Sequence, residues 1–251
     1  MDINAIERLV KESLSIEREN LVEPDAKQVL RILGIPVPRF EVVKDVNVAI
    51  EEGEKIGYPL VLKLISPSVI HKSDVGGVRT GLRSPQEIED AWSDIILRVA
   101  DEMPMALIEG FIIEEMVPEG VEVIIGAVKD QQFGVTAMFG LGGVAVELLK
   151  DVSFGLAPMD EDEAMKMMRE VKGFALLEGY RGAPARDIGA VARTLVTISK
   201  VVGATDGLKA LEINPLVVYE EGVMAVDARA ELDYMDMFHP SASSAPPASS
   251  H

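Results

Sequence analysis

Apolar residues recur at helical spacing over Asn4–Ser15, where Ile6, Leu9, Val10 and Leu14 share a face and the remainder is polar; this predicts an amphipathic helix. Pro24-Asp25 opens a second helix that runs through Leu33, with proline in its first turn and Gly34 ending it. Ile35-Pro36-Val37-Pro38 is extended and leads into a strand, Phe40–Val43. Asp45 caps a third helix to about Gly57, and Tyr58-Pro59 introduces the short apolar strand Leu60–Ile65. Ser84-Pro85 starts a helix over Gln86–Ala100, whose Ile88, Trp92, Ile95, Ile96 and Val99 form one broad apolar face. This first region, closing at Pro104, reads as an α/β unit.

The second region begins with three apolar segments, Phe111–Val117, Val121–Val128 and Phe133–Phe139, joined by short polar turns. Pro118-Glu119-Gly120 and Lys129-Asp130-Gln131-Gln132 suit hairpins, which predicts an antiparallel sheet. Gly140-Leu141-Gly142-Gly143 breaks the pattern, and helices follow at about Asp160–Val171 and Asp187–Val202. The last strands are Lys209–Ile213 and Leu216–Tyr219, the latter turning at Glu221-Gly222 into Val223–Ala228. From His239 onward the chain is Ser, Ala and Pro, and residues 239–251 read as a disordered tail. The fold class is α/β (α+β), with two lobes.

Charge narrows the partners. With 24 Lys and Arg against 42 Asp and Glu, the net charge of -18 argues against a general nucleic-acid or phospholipid surface, because both are polyanions. A small nucleotide that brings its own Mg²⁺ escapes that argument. The chain has no cysteine, which excludes disulfides, thiolate metal sites and cysteine nucleophiles. No apolar run approaches the ~20 residues that span a bilayer, and Met1–Asn20 lacks a signal-peptide core. A cytoplasmic protein is the expectation.

Lys63 lies inside the apolar strand Leu60–Ile65. Such a lysine either sits on an edge strand with its ammonium in solvent, or is buried against an opposite charge such as a phosphate. The segment Ser66 to Val78 then carries His71, Lys72, Ser73, Asp74 and the pair Gly76-Gly77, with Arg79 just beyond. Paired glycines make a turn, or let backbone N–H groups approach an anion. His71 is a surface histidine or, at a phosphate-handling site, a nucleophile that accepts a phosphoryl group. Glu114-Glu115-Met116-Val117 closes an apolar strand and Glu122 follows in the next, either as solvated carboxylates or as an adenine slot with a ribose-binding carboxylate.

The strongest cluster is Glu212, Asn214 and Asp227. Two residues apart on a strand, Glu212 and Asn214 point to the same face, and Asp227 on the partner strand can meet them. Three hard oxygen donors at a strand end suit Mg²⁺, which leaves sites for water and substrate phosphates. The alternative is three polar residues at a sheet edge, set among Leu211, Ile213, Leu216 and Val217.

In order along the chain, Val61-Leu62-Lys63, His71-Lys72-Ser73-Asp74-Val75-Gly76-Gly77-Val78, Phe139-Gly140-Leu141-Gly142-Gly143 and Leu149-Lys150-Asp151-Val152 are followed by three further motifs. These are Gly179-Tyr180-Arg181-Gly182, Leu211-Glu212-Ile213-Asn214-Pro215-Leu216 and Val226-Asp227-Ala228-Arg229. Together they resemble the ATP-grasp fold, and within it the β subunit of archaeal-type ADP-forming acetyl-CoA synthetase, over roughly Pro24 to Phe238. The resemblance implies an N-terminal helical segment (1–23), a small lobe (24–108) and a large, metal-bearing lobe (109–238), with the nucleotide between the lobes. It implies that Lys63 contacts nucleotide phosphates with Gly76, Gly77 and Arg79 nearby. Glu114, Glu115, Met116 and Val117 would form the adenine hinge, and Glu122 would bind ribose. Asn214 and Asp227 would hold Mg²⁺, with Glu212 either on the metal or facing a phosphohistidine, and His71 would be a second phosphoryl acceptor. The implied reaction converts acyl-CoA, ADP and phosphate to acid, CoA and ATP. The primary phosphohistidine and the CoA-binding domain would belong to an α subunit, in an α2β2 assembly active only when complete. A free-standing carboxylate–amine ligase and a non-catalytic nucleotide-binding module are the competing readings.

Overall fold

The computed structural model describes residues 2–69, 72–142 and 151–233. His71, Gly143, Leu149, Lys150 and the 239–251 tail lie outside the described residues. Helix α1 (Ile3–Ser15) starts where the Asp2 carboxylate accepts from the amide of Ala5. A short strand β1 (Asn20–Leu21) precedes α2 (Glu23–Ile32), which has Pro24 in its first turn. Then come β2 (Phe40–Val43), α3 (Val46–Ile56), β3 (Leu60–Ile65), β4 (Val78–Leu82) and α4 (Pro85–Glu102). The caps expected from the sequence are present: Asp45 accepts from Asn47 and Val48, and Ser84 from Glu87, which removes orphan donors at the helix starts.

The chain continues through β5 (Gly110–Glu115), β6 (Val121–Asp130), β7 (Gly134–Leu141) and β8 (Val152–Leu156). Helix α5 (Glu161–Met168) opens on a full capping box between Asp160 and Glu163. A 3₁₀ turn, Lys172–Phe174, and the single turn α6 (Ala175–Glu178) lead to α7 (Ile188–Ala204), capped by Asp187. The chain then forms β9 (Leu208–Val218), β10 (Val223–Ala225) and β11 (Ala228–Leu232).

Two antiparallel sheets organise the molecule. The smaller has the order β2-β5-β3-β4, and the larger β1-β11-β9-β6-β7-β8, with β10 also on β9. Each has its own core. Leu60, Leu62 and Leu64 of β3 pack with Ile88, Ile95 and Val99 of α4 in the small lobe. Val123, Ile125, Phe139, Leu211 and Ile213 pack with Leu195, Ile198 and Val202 of α7 in the large one.

Three differences from the sequence reading have physical causes. Phe111–Val117 was expected to pair with Val121–Val128; instead β5 pairs with β2 and β3, and β6 with β7 and β9. Pro118-Glu119-Gly120 is therefore the crossover between lobes and not a hairpin. A Cβ on Gly120 would lie 2.8 Å from the Val218 carbonyl oxygen, so the crossover is threaded closely against β9. The second difference concerns the N-terminal boundary. Ala26, Val29 and Leu30 of α2 join Ile6, Val10 and Leu14 of α1 in the large-lobe core, and β1 pairs with β11. A lobe boundary at residue 24 therefore cuts through a packed unit, because α2 turns its apolar face to the large sheet. Third, Gly140 and Leu141 continue β7, and β4, β8 and β11 are strands too short or too polar for periodicity to mark.

No helix among the described residues is long and apolar enough to cross a membrane. Phe139, fully buried in the middle of β7, ties the large sheet to its helices. Phe139→Ala is expected to cost about 3–5 kcal/mol, read as a lowered urea midpoint in a denaturation curve; a change below 1 kcal/mol would mean this core is not the main support of the lobe.

Candidate functional site

Lys63 decides where the site forms. On β3, Leu60, Leu62 and Leu64 face the small-lobe core, so Val61, Lys63 and Ile65 face the opposite side. The strand is interior to its sheet, so the solvent-edge alternative does not hold, and Lys63 is only 4% exposed. Its ammonium lies 2.7 Å from Glu114 of β5 and 2.9 Å from Glu23 at the start of α2, and donates to the Val226 carbonyl at 2.9 Å. Lys27, one turn along α2 and fully buried, lies 2.8 Å from Glu23 and also bonds Glu114. Lys72 reaches Glu23 at 2.8 Å and Asp227 at 3.3 Å. Three lysines and three carboxylates thus balance at the junction of the lobes, each lysine touching two of the acids.

The electrostatics follow from this geometry. Burial by itself would raise the Glu23 carboxyl, but Lys63, Lys27 and Lys72 together hold it far below the usual carboxylate range. Burial would likewise lower the Lys63 ammonium, but Glu23, Glu114 and Asp227 outweigh it and hold the charge. Lys72 is raised against its burial by Glu23 and Asp227. Asp227 goes the other way. Burial and the Glu23 charge raise its carboxyl, and Lys63 and Lys72 only partly offset them.

Asp227 lies at the break between β10 and β11, one residue before the Ala228–Ile213 pair. Its carbonyl accepts from the Asn214 amide at 3.1 Å, so the two residues oppose each other. Glu212, Asn214 and Asp227 line one small cavity of about 130 Å³, together with Lys72, Ser66, Glu23 and Arg229. The expected trio is therefore assembled. Among the described residues no group of three or more His, Cys, Asp or Glu is placed to hold a metal. Two carboxylates and an amide oxygen are hard donors, and a cation beside Asp227 would offset the burial and the Glu23 charge that raise its carboxyl. That donor set fits a divalent cation such as Mg²⁺.

A second cleft, of about 440 Å³, opens between the lobes beside the first. It is lined by Glu114, Glu115, Met116, Val117 and Glu122, with Val61 and Thr80 from the small sheet and Pro215, Val217 and Val226 from the large one. The residues expected to border adenine and to bind ribose thus line one cleft. Glu115 is held by Arg39, which donates its amide at 3.0 Å and its Nε at 2.7 Å, and the Met116 amide donates to the Pro59 carbonyl at 3.0 Å. Pro215 and Val226 belong to this cleft while their neighbours Asn214 and Asp227 belong to the smaller cavity, so the two spaces meet at the candidate metal residues.

Three expected residues are not brought in. Arg79 stands opposite Leu62 on β4, hence on the face away from Lys63, where it pairs with Asp94 of α4. Gly76 and Gly77 line neither space. Gly76 adopts a left-handed φ of 63°, and the Gly77 amide donates to the Lys72 carbonyl at 2.6 Å while its own carbonyl accepts from Leu64. The glycine pair closes the turn that delivers Lys72 to the acids, which is its contribution to the site. Conversely, sequence reading missed Glu23 and Lys27. Their helical spacing was visible, but their burial depends on partners up to 87 residues away in sequence, as between Lys27 and Glu114.

A model of the ATP-grasp domain matches residues 12–232. The chain is 42% identical to the β subunit of ADP-forming acetate–CoA ligase I of Pyrococcus furiosus over 229 residues, 91% of this chain and 99% of that one. A solved acetyl-coenzyme A synthetase 1 of Ca. Korarchaeum cryptofilum, in complex with coenzyme A and Ca-AMPCP, superposes with a TM-score of 0.86 at 42% identity, over 90% of this chain and 99% of that chain. Another form of that enzyme holds Mg-AMPPCP, with its phosphohistidine segment pointing towards the nucleotide-binding site; it matches with a TM-score of 0.77 at 39% identity, over 91% and 100% of the two chains.

The buried charges give a stability prediction. The depressed Glu23 carboxyl contributes stability that is complete above its unfolded pKa of about 4.3 and is lost as pH falls below it. Glu23→Gln leaves three buried lysines facing two acids and is expected to cost about 3–5 kcal/mol at neutral pH. Its stability should also fall less steeply than that of the parent between about pH 5 and pH 3. Parallel slopes in chemical denaturation would show that Glu23 is not ionised in this cluster.

Proposed function

Because the chain belongs to the ATP-grasp family, among the β subunits of ADP-forming acetate–CoA ligases, we propose that it binds ADP or ATP in the cleft between its lobes and exchanges a phosphoryl group with a partner α subunit. The observation that carries this reading is the meeting of two spaces at Asn214 and Asp227: a cleft of nucleotide size on one side and a small charged cavity on the other. In the complete enzyme, acetyl-CoA, ADP and phosphate become acetate, CoA and ATP, reversibly. We assign the CoA-binding domain and the primary phosphohistidine to the α subunit, in an α2β2 assembly.

Residue roles follow from position. Glu114 to Val117 border the base, and Glu122, exposed at the cleft mouth, accepts from the ribose hydroxyls. Lys63 and Lys72 are charged donors next to the terminal phosphates, and they exchange part of their contact with Glu23 and Asp227 for phosphate oxygens. Asn214 and Asp227 would hold Mg²⁺, with Glu212 beside them, and the ion supplies positive charge to the phosphate oxygens when bound. Phosphoryl transfer asks for little covalent chemistry from the protein; positioning and charge neutralisation carry most of it. His71, preceding Lys72, is proposed as a further phosphoryl acceptor on the strength of the family motif alone.

Two outcomes test this. Asp227→Ala is expected to weaken Mg-ADP binding about tenfold or more in calorimetry; unchanged affinity would remove Asp227 from the metal site. The purified chain alone is expected to form no ATP from acetyl-CoA, ADP and phosphate, and to do so once its α subunit is added. Turnover by the chain alone would overturn the subunit assignment.

A further inference from the structure

The smaller cavity holds a cation that nucleotide binding does not employ. Arg229 stands directly opposite Glu212 across the β9–β11 pair and lines the same cavity. One end of its guanidinium, Nη2, lies 3.1 Å from Glu231, while Nε is buried with no hydrogen-bond partner. Asn20, pairing with Glu231 from β1, lines the cavity as well, and its Oδ1 is also buried without a partner. Lys72, the other basic residue of the lining, is engaged by Glu23 and Asp227. Buried polar groups are nearly always paired, so two unpaired polar atoms on residues that line one small space mark it as built for a polar ligand.

The charge of that ligand follows from the lining. Glu212, Glu23 and Asp227 make the cavity acidic, and a phosphoryl group entering it needs a donor of fixed position to overcome their repulsion. An arginine fork does this better than a lysine, because its N–H groups are planar and matched to phosphate oxygens. The nucleotide cleft approaches Asn214 and Asp227 from the side of Pro215 and Val226, and Arg229 lies on the other side. A phosphoryl donor that meets the nucleotide end to end arrives on the side of Arg229.

We infer that Arg229 is the docking residue for the phosphoryl group carried by the partner, holding it in the small cavity opposite the nucleotide's terminal phosphate. The inference rests on the proposed function and adds a residue to it. In the step itself, the P–N bond of the phosphorylated imidazole breaks as a P–O bond forms to the terminal oxygen of ADP. The electron pair stays on the leaving nitrogen, which takes up one proton, so a phosphohistidine dianion and an ADP trianion become neutral histidine and an ATP tetra-anion. Arg229 contributes only while the phosphoryl group is in the cavity.

The test is ADP–ATP isotope exchange by the assembled complex of this chain and its α subunit, which needs the phosphoryl relay and no acyl substrate. Arg229→Gln is expected to slow exchange about 100-fold, with Mg-ADP affinity by calorimetry within about twofold of the parent and assembly intact by size-exclusion chromatography. Arg229→Lys, keeping the charge without the fork, should recover part of the rate, and Glu231→Gln, which frees Nη2, should exchange like the parent. Exchange at the parental rate by Arg229→Gln overturns the inference, and so does an equal loss of exchange and Mg-ADP affinity, which would make Arg229 part of the nucleotide site. If Arg229→Gln fails to assemble, the lysine variant decides: exchange at the parental rate with the fork gone counts against docking. A parent complex without any exchange would instead overturn the proposed function beneath it.

Discussion

Burying an ammonium in a protein interior costs several kcal/mol unless opposite charge and hydrogen bonds compensate it. Lys63 imposes that condition at the centre of this molecule. Its strand is covered on both sides by neighbours, so its side chain has to leave the sheet on the face away from the small-lobe core and find carboxylates there. Glu114 comes from the same sheet, but Glu23 comes from a helix packed on the other lobe, and the third contact is the Val226 carbonyl beside Asp227. Satisfying one lysine therefore requires both lobes to be in place. The same contacts lie at the floor of the interlobe cleft and set the position of Asp227.

This arrangement links stability to function through shared partners. A network of equal lysine and carboxylate numbers is neutral as it stands, yet its members sit beside a site that reads as one for phosphates and Mg²⁺. On the proposed function, a nucleotide would bring anionic oxygens to lysines that already have carboxylate partners, and a divalent cation would bring positive charge to Asp227, whose carboxyl is raised by burial and by the Glu23 charge. Ligand and metal together preserve the balance, whereas either alone disturbs it. That is a physical reason for nucleotide and metal to bind as a pair. A second tie between the lobes, Arg18 to both Glu109 oxygens at 2.5 and 2.6 Å, lies outside both cavities and has no ligand to exchange with.

What could be read from sequence divides along the same line. Helix starts were legible because their signals are local: Asp45, Ser84, Asp160 and Asp187 each cap the helix they precede. The Glu212–Asn214 pair was legible because strand alternation puts residues two apart on one face, and Asp227 joined it across a short connection. The partners of β5 were not legible, since the spacing Pro118-Glu119-Gly120 suits a hairpin as well as a crossover, and only the packing of whole lobes selects between them. Arg79 was misplaced for a related reason. It is near Lys63 in sequence and sits on the adjacent strand, but register puts it opposite Leu62, and a shift of one residue reverses the face. Glu23 and Lys27 look like an ordinary solvated helix pair until β3 and β5 are laid against them.

The central claim is that the interlobe charge cluster is the phosphate end of a nucleotide site. A crystal structure of this chain with Mg-ADP tests it most directly. The account predicts the base between Glu114–Val117 and Val217, the metal on Asn214 and Asp227, and the Lys63 or Lys72 ammonium within hydrogen-bond distance of a phosphate oxygen. Mg-ADP bound elsewhere, or bound in the cleft with its phosphates directed away from Asp227, would contradict it.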